Sequence, residues 1–379
     1  MKKIITAICS IAFAVAALFL LQRLVVPKYM EDVLEGSFIR EYYDETTAHD
    51  VIMVGDCEVY ENFSPIEMWN QYGITGYIRG SAQQLIWQSY YMLEDTLKYE
   101  TPKVVIYNVQ SMVYNTPQKE EYNRMTIDGM RWSKTKWDCI QASMLEEESV
   151  FDYLFPILRY HERITELGQS DFNYFWNKRK VTQNGYYMRI DTMPYDEENA
   201  LEESKPENTT FGNHAWDYLN RMRDLCKSKG IVLVLVKAPS LSPVWFDEYE
   251  HQIQKYAKEN NLDYINYLKL VKKLKIDYET DTYDGGLHMN LSGAKKLSAH
   301  LGGYLVKKYH LADHRGEVLY RDAWKEKVDF YDQMIAEQEK ELKEYGYLKS
   351  FGGEAEKTQE NKNNSAEDEQ LEDIFGGFE

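Results

Sequence analysis

Cysteine is scarce in this sequence and positive charge is in short supply, and each shortage closes off a class of protein. Four cysteines in 379 residues are too few for the disulfide framework that holds small secreted domains together. The 44 Lys and Arg against 62 Asp and Glu leave a formal net charge of -18. That argues against a nucleic-acid partner and against tight binding to anionic lipid surfaces. Metal-ligand spacing is missing too: no His/Asp cluster shows it and His161 has no companions, so neither a metal nor another cofactor is expected. Cys9 lies in an apolar run, and Cys226 shares a helical face with Trp216, Leu219 and Met222, as a small buried hydrophobe would. Nothing in the sequence supports a Cys139–Cys226 disulfide. Cys57 stands apart, because its neighbours are polar and turn-forming.

What the chain does have begins with a membrane signal. Ile4 to Leu21 is continuously apolar, preceded by Lys2-Lys3 and followed by Gln22-Arg23. That length is near the lower limit for spanning a bilayer, and Val25 and Val26 extend it. The two lysines favour an inside N-terminus, which puts the remainder outside the cell as a single-pass protein. Ala14-Val15-Ala16 has the small-x-small pattern of a cleaved signal peptide, but Leu18-Phe19-Leu20-Leu21 continues the run beyond it. An uncleaved signal-anchor over residues 1–27 is therefore expected. The remaining chain, within a composition 44% hydrophobic and 28% charged, can build a core. The acidic tail 351–379 has almost no apolar residues and is expected to be disordered. Tyrosine, with 31 copies, suits amphipathic core and surface filling, or aromatic faces for a glycan.

Between those ends the pattern alternates. Val51 to Val54 has the apolar character of a buried strand. Ser64-Pro65-Ile66-Glu67 opens a helix, with Ser as cap, Pro in the first turn and Glu67 completing a capping box. A short strand at Gly76 to Arg79 ends at Gly80. A helix then carries Ile86, Tyr90, Leu93 and Leu97 on one face, and Lys103 to Val109 forms a third strand. The alternation lapses over 111–211 and returns with a helix ending before Gly230. Ile231 to Val236 is apolar throughout, as a strand buried on both faces would be. A helix near Glu248 to Asn260, a strand at Asp263 to Asn266, and a helix with Ala294, Leu297, Leu301 and Leu305 inward complete it. Such alternation predicts an α/β fold with a parallel sheet covered on both faces and active groups at the strand C-terminal ends.

Gly55-Asp56-Cys57 follows the first strand, and Tyr283-Asp284-Gly285-Gly286-Leu287-His288-Met289-Asn290 precedes the last helix. A nucleophile at a strand end with a late Asp and His is what acyl transfer needs. These residues resemble the SGNH/GDSL hydrolases, whose first block reads Gly-Asp-Ser. Gly80 falls at the glycine of the second block, and His288-x-Asn290-x-x-Gly293 resembles the last, whose His is the general base. The Cys57-Glu58 pair and the N-terminal anchor resemble the membrane-anchored DltD-like branch, acting in teichoic-acid D-alanylation. The alginate and peptidoglycan O-acetylation proteins form a related group. The resemblance spans roughly 48–110 and 212–310. It departs in three ways: Cys57 replaces serine, Asp284 precedes His288 by four positions rather than three, and no Gly-x-Asn-Asp block follows the third strand. Gly285 and Gly286 can absorb the extra residue.

The resemblance implies a flavodoxin-like three-layer α/β/α domain over 28–312 with a large insertion at 111–211, a C-terminal helix over 313–350, and extracytoplasmic acyltransferase or esterase chemistry. Cys57, Asp284 and His288 would be the catalytic set, with an imidazolium keeping Cys57 as thiolate. The Cys57 and Gly80 N–H groups and an amide at the end of the third strand, Asn108 in preference to Gln110, would stabilise the oxyanion, while Asn290 and Arg79 would contact substrate, although Arg79 fits a packing role better. Expected partners are a cell-surface polysaccharide or teichoic-acid-like polymer and a multi-pass membrane O-acyltransferase. The rival reading is a catalytically silent glycan-binding or scaffold subunit. Within the insertion, Trp132, Trp137 and Trp176 fit core packing or a sugar groove. After Asp313, Trp324, Val328, Tyr331, Ile335 and Leu342 form a narrow helical seam that docks on its own domain or on another chain.

Overall fold

The computed structural model describes residues 2–27, 38–176, 180–196 and 204–351. Helix α1 (Lys2–Val25) is long and apolar enough to cross a membrane, with mean hydropathy 2.7 and none of the apolar window buried. A signal sequence would have the same character. The expected tail lies outside the described residues except Phe351, whose ring packs edge-on against Tyr187 with centroids 5.4 Å apart.

Among the described residues, β1 (Val51–Gly55), β2 (Gly76–Gly80), β3 (Val104–Asn108), β4 (Val232–Lys237) and β5 (Asp263–Asn266) form one parallel sheet. Its order is β2-β1-β3-β4-β5, the flavodoxin-like arrangement. Every residue of β1 and β3 is buried because alternate side chains enter opposite cores. Ile52, Val54 and Val105 face the helices Ile86–Thr96, Asn213–Ser228 and Asp247–Glu259. Val51, Met53 and Ile106 face Pro65–Tyr72, Leu291–Tyr309 and the C-terminal helix Val318–Tyr345. The strand order turns between β1 and β3, and ligand crevices in such sheets open outside the strand C-termini at that point.

Local chemistry sets the element ends, with one departure. Ser64 caps the Pro65–Tyr72 helix by accepting from Glu67 N at 3.3 Å. The reciprocal half of the expected box is absent: Ser64 N donates to Ser298 Oγ, and the Glu67 carboxylate accepts from Tyr331 O–H instead. Tertiary partners have displaced the local one. The 111–211 region has no strand among its described residues. It contains short helices (Glu120–Ile127, Lys134–Ser143, Val150–Leu154) and an irregular closing run. Core packing for its three tryptophans is not what forms, because Trp132, Trp137 and Trp176 are 53%, 40% and 89% exposed.

The C-terminal helix docks on its own domain. Trp324 is fully buried and stacks on Trp69 at 4.8 Å and 19°, and Tyr331 is buried beside Glu67. Gln338 bridges to the insertion, donating to Met188 O and accepting from Ile190 N. Trp324→Ala empties an indole-sized volume and should cost about 3–5 kcal/mol. Denaturant unfolding of the detergent-solubilised chain measures it, and an unchanged midpoint would mean that the helix is not part of the cooperative core.

Candidate active site

β1 ends where a side chain would not fit. Gly55 has φ +152°, and a Cβ there would stand 2.5 Å from Val59 Cγ2 and 3.2 Å from Asn108 Cβ. The chain turns at once into a single helical turn, Cys57–Tyr60, capped by Asp56 Oδ1 accepting from Glu58 N at 3.2 Å. Cys57 is thus the first helical residue at the C-terminal edge of the sheet.

Beneath it lies a buried network joining three strand ends. Lys237 Nζ donates to Glu58 Oε1 and Oε2 at 2.7 and 2.9 Å. Asn108 Nδ2 donates to Asp56 Oδ1 at 3.1 Å and to Glu58 Oε2 at 2.9 Å, while its Oδ1 accepts from Ala238 N. An amide has two N–H donors, and both are committed. Asn108 therefore cannot serve the oxyanion as expected: carboxylates reached it first.

The second half of the site is the loop 281–290, closed by the Thr282–Met289 bridge and by Asn290 N donating to Asp281 O. Gly285 and Gly286 adopt φ +74° and +100° there, so the extra residue is taken up where only glycine is unstrained. Asp284 then meets His288 twice: Oδ1 accepts from the backbone N–H at 2.8 Å, and Oδ2 lies 2.6 Å from ring Nδ1. Asn62 Oδ1, from just past the Cys57 turn, accepts from Met289 N at 2.6 Å and fastens the loop to the nucleophile side.

Cys57 Sγ, His288 and a third group, Glu61, lie with their ligand atoms within 4.8 Å of one another. Glu61 is buried, with Oε2 3.5 Å from His288 Nδ1 and no hydrogen-bond partner on that oxygen. Burial pushes the Cys57 thiol up to about 12, outweighing the charge of His288 and its hydrogen bond. The expected resting thiolate is thus overturned by desolvation. Burial also raises Glu61 to about 7. At His288 burial opposes the charged ring, but Glu61, Asp284 and Cys57 together hold it well above its ordinary value. The resting arrangement is a neutral thiol beside an imidazole that carboxylates keep protonated.

Three other expected site residues lie elsewhere or are committed. Arg79 is fully buried away from Cys57, paired with Asp95 at 3.2 Å and resting on Tyr42 at 4.1 Å. Strand alternation aims it under the sheet, so it packs and does not meet substrate. Asn290 caps the following helix through Ser292 N and Gly293 N, and its Nδ2 donates to Asp191 O, Thr192 Oγ1 and Thr280 O. It builds the loop, with no donor left for a ligand. Gly80 pairs in register with Gly55, and a Cβ there would stand 2.9 Å from Gly55 O.

Several residues were missed. Glu61 follows Cys57 by four positions, the spacing that shares a helical face, and that signal was available. Arg189 had none: it lies in the irregular run, pairs with Asp191, and covers the Tyr283 ring at 4.7 Å. Tyr283 in turn stacks on His288 at 6.1 Å and 21°. A cavity of about 450 Å³ lies away from these groups, between α1 and the insertion, lined by residues including Phe19, Arg23, Arg40, Tyr43 and Trp132.

No protein-family model matches this chain, and no curated protein matches it. Among solved structures it is similar to a lipolytic protein of the G-D-S-L family from Desulfitobacterium hafniense DCB-2. The identity is 13% and the TM-score 0.34, over 68% of this chain and 99% of that one. It is also similar to a GDSL-like lipase from Bacteroides thetaiotaomicron VPI-5482, at 12% identity and TM-score 0.36, over 72% and 98% of the two chains.

The electrostatics predict a pH dependence with a definite sign. His288 must lose its proton before it can take one from Cys57, so alkylation of Cys57 by iodoacetamide should accelerate towards alkaline pH. Glu61→Gln removes the largest charge raising the imidazole and should move that rise to lower pH. A profile that stays in place would sever Glu61 from the titration.

Proposed function

We propose that this protein is an extracytoplasmic acyltransferase or esterase that acts on a cell-envelope polymer or glycan through Cys57, His288 and Asp284. The observation that supports the reading is the convergence of a strand-end thiol with an imidazole already gripped by a carboxylate. Asp284 keeps the proton on Nδ1, which leaves Nε2 to accept the thiol proton. Sulfur then bonds to the carbonyl carbon of an ester or thioester donor. The donor's alcohol or thiol departs with the proton held on Nε2, leaving an acyl-thioester on Cys57. A polymer hydroxyl, deprotonated by the same nitrogen, takes the acyl group and restores the thiol; water in that place gives hydrolysis.

The apolar helix α1 supports placing this chemistry at the outer face of the cell membrane, anchored by a single span. A multi-pass membrane O-acyltransferase as donor, and a teichoic-acid-like polymer or surface polysaccharide as acceptor, complete the proposal. The exposed Trp132 and Trp176 offer aromatic faces of the kind that stack on sugars. A second reading, a silent glycan-binding or scaffold subunit, is favoured by one observation: burial holds the Cys57 thiol high, so that the resting sulfur is a poor nucleophile.

Intact-protein mass spectrometry after exposure to activated esters separates the two. Acyl mass on Cys57, absent in Cys57→Ala, is the expected result, and Asp284→Asn should slow its appearance by about 10³–10⁴-fold. An unacylated Cys57 together with full polymer acylation in cells carrying Cys57→Ala would establish the silent reading.

A further inference from the structure

Glu61 has no task in the acyl-transfer scheme, although it is a carboxylate held out of water. It is buried against the imidazole, and its Oε2 has no hydrogen-bond partner. The nearest positive charge is the imidazole itself, whose Nδ1 lies 3.5 Å from Oε2 but is hydrogen-bonded to Asp284, so the oxygen is left without a donor and its desolvation is only partly offset. Around it stand a thiol and an imidazole, with one ligand atom from each of the three residues inside 4.8 Å. Asp284 occupies His288 Nδ1, and Nε2 is the ring nitrogen left open.

We propose that Cys57 Sγ, Glu61 Oε2 and His288 Nε2 form a three-ligand site for Zn²⁺ or a similarly thiophilic divalent cation, with Asp284 orienting the imidazole from behind and a fourth position open. The residue types fit: thiolate, imidazole and carboxylate are the zinc ligands of proteins, and three of them plus one open position is the catalytic pattern. A ligating histidine that donates its other ring N–H to a carboxylate is the usual outer-shell arrangement, and Asp284 supplies it. Zinc bond lengths and tetrahedral angles put ligand atoms roughly 3.3–3.8 Å apart, which a cluster already within 4.8 Å reaches by small side-chain movements. Thiolate and carboxylate together neutralise the dication. Binding releases the thiol proton and the Nε2 proton to solvent. Because the cation takes the sulfur and nitrogen that acyl transfer uses, metal and acyl group compete for Cys57. The proposal goes beyond the acyl-transfer reading and does not rest on it.

Cobalt(II) titration of the full-length, detergent-solubilised chain, without any acyl donor, tests the site. One equivalent should produce a thiolate-to-cobalt charge-transfer band, displaced by Zn²⁺. The band should vanish in Cys57→Ala, and the near-isosteric Glu61→Gln should weaken binding by at least about 10-fold. Zn²⁺ should also slow iodoacetamide labelling of Cys57 in the parent chain, and a chelator should restore it. No band, a band undiminished in Cys57→Ala, or a smaller loss in Glu61→Gln would overturn the proposal. Since no acyl donor is present, that failure leaves acyl transfer standing, and an inactive enzyme that still binds cobalt leaves the metal site standing.

Discussion

The double contact between Asp284 and His288 is the constraint on which the site depends. One carboxylate oxygen takes the backbone N–H of His288 and the other faces its ring. The same residue therefore fixes the course of the loop and the tautomer of the imidazole. A contact of that kind needs the chain to double back within four residues, which is why two glycines in the left-handed region stand between the partners. Asn62 then carries the constraint across to the Cys57 side by holding Met289 N. Remove the carboxylate and the ring is free to rotate, the loop loses a closing bond, and the sulfur faces no defined base.

Under the thiol the protein buries a second set of charges, and their role differs. The Glu58–Lys237 pair is almost wholly removed from water, so its attraction is set against a large desolvation cost and it is weak evidence for stability. What it does achieve is geometric. Asn108 from β3, Lys237 at the end of β4, Ala238 just after it, and Asp56 and Glu58 after β1 are joined in one hydrogen-bonded network, which locks the three strand ends that carry the Cys57 turn. That lock uses up the amide that would otherwise serve an oxyanion. In the proposed reaction oxyanion stabilisation would then fall to the Cys57 backbone N–H, because Glu58 N and Val59 N are already given to Asp56, and losing one such donor typically costs about 3 to 4 kcal/mol.

Most of the sheet was legible because its strands are buried on both faces and spell out apolar runs, as at Val51–Val54 and Val232–Val236. The helix with Leu297, Leu301 and Leu305 inward was equally plain, all three being fully buried. Cys57, Asp284 and His288 stood out because polar, turn-forming residues interrupted those patterns at strand and helix ends. Misreadings arose where only tertiary structure decides. Arg79 at a strand end admitted a substrate contact beside the packing role that suited it better, and alternation settles it under the sheet. Asn290 looked like a ligand-facing amide until helix capping claimed it. Arg189 was invisible, because its segment is held by single hydrogen bonds to the 278–291 loop and to Gln338 rather than by any periodic element.

Glu61 is where the chemistry of the site turns. A serine nucleophile needs a strong base, and two carboxylates on one imidazole would supply it. A thiol is far more acidic to begin with and needs less help. Placing a second buried carboxylate beside a histidine that serves a cysteine therefore overshoots: the imidazole is held protonated, and burial keeps the thiol neutral. The same three groups cease to be mismatched once a dication lies between them, because thiolate, carboxylate and neutral imidazole are then each in the charge state that the cation demands. The thiol at position 57 and the presence of Glu61 are thus better understood together than apart. Each is awkward for a simple triad, and each becomes natural where the site must also hold a positive charge.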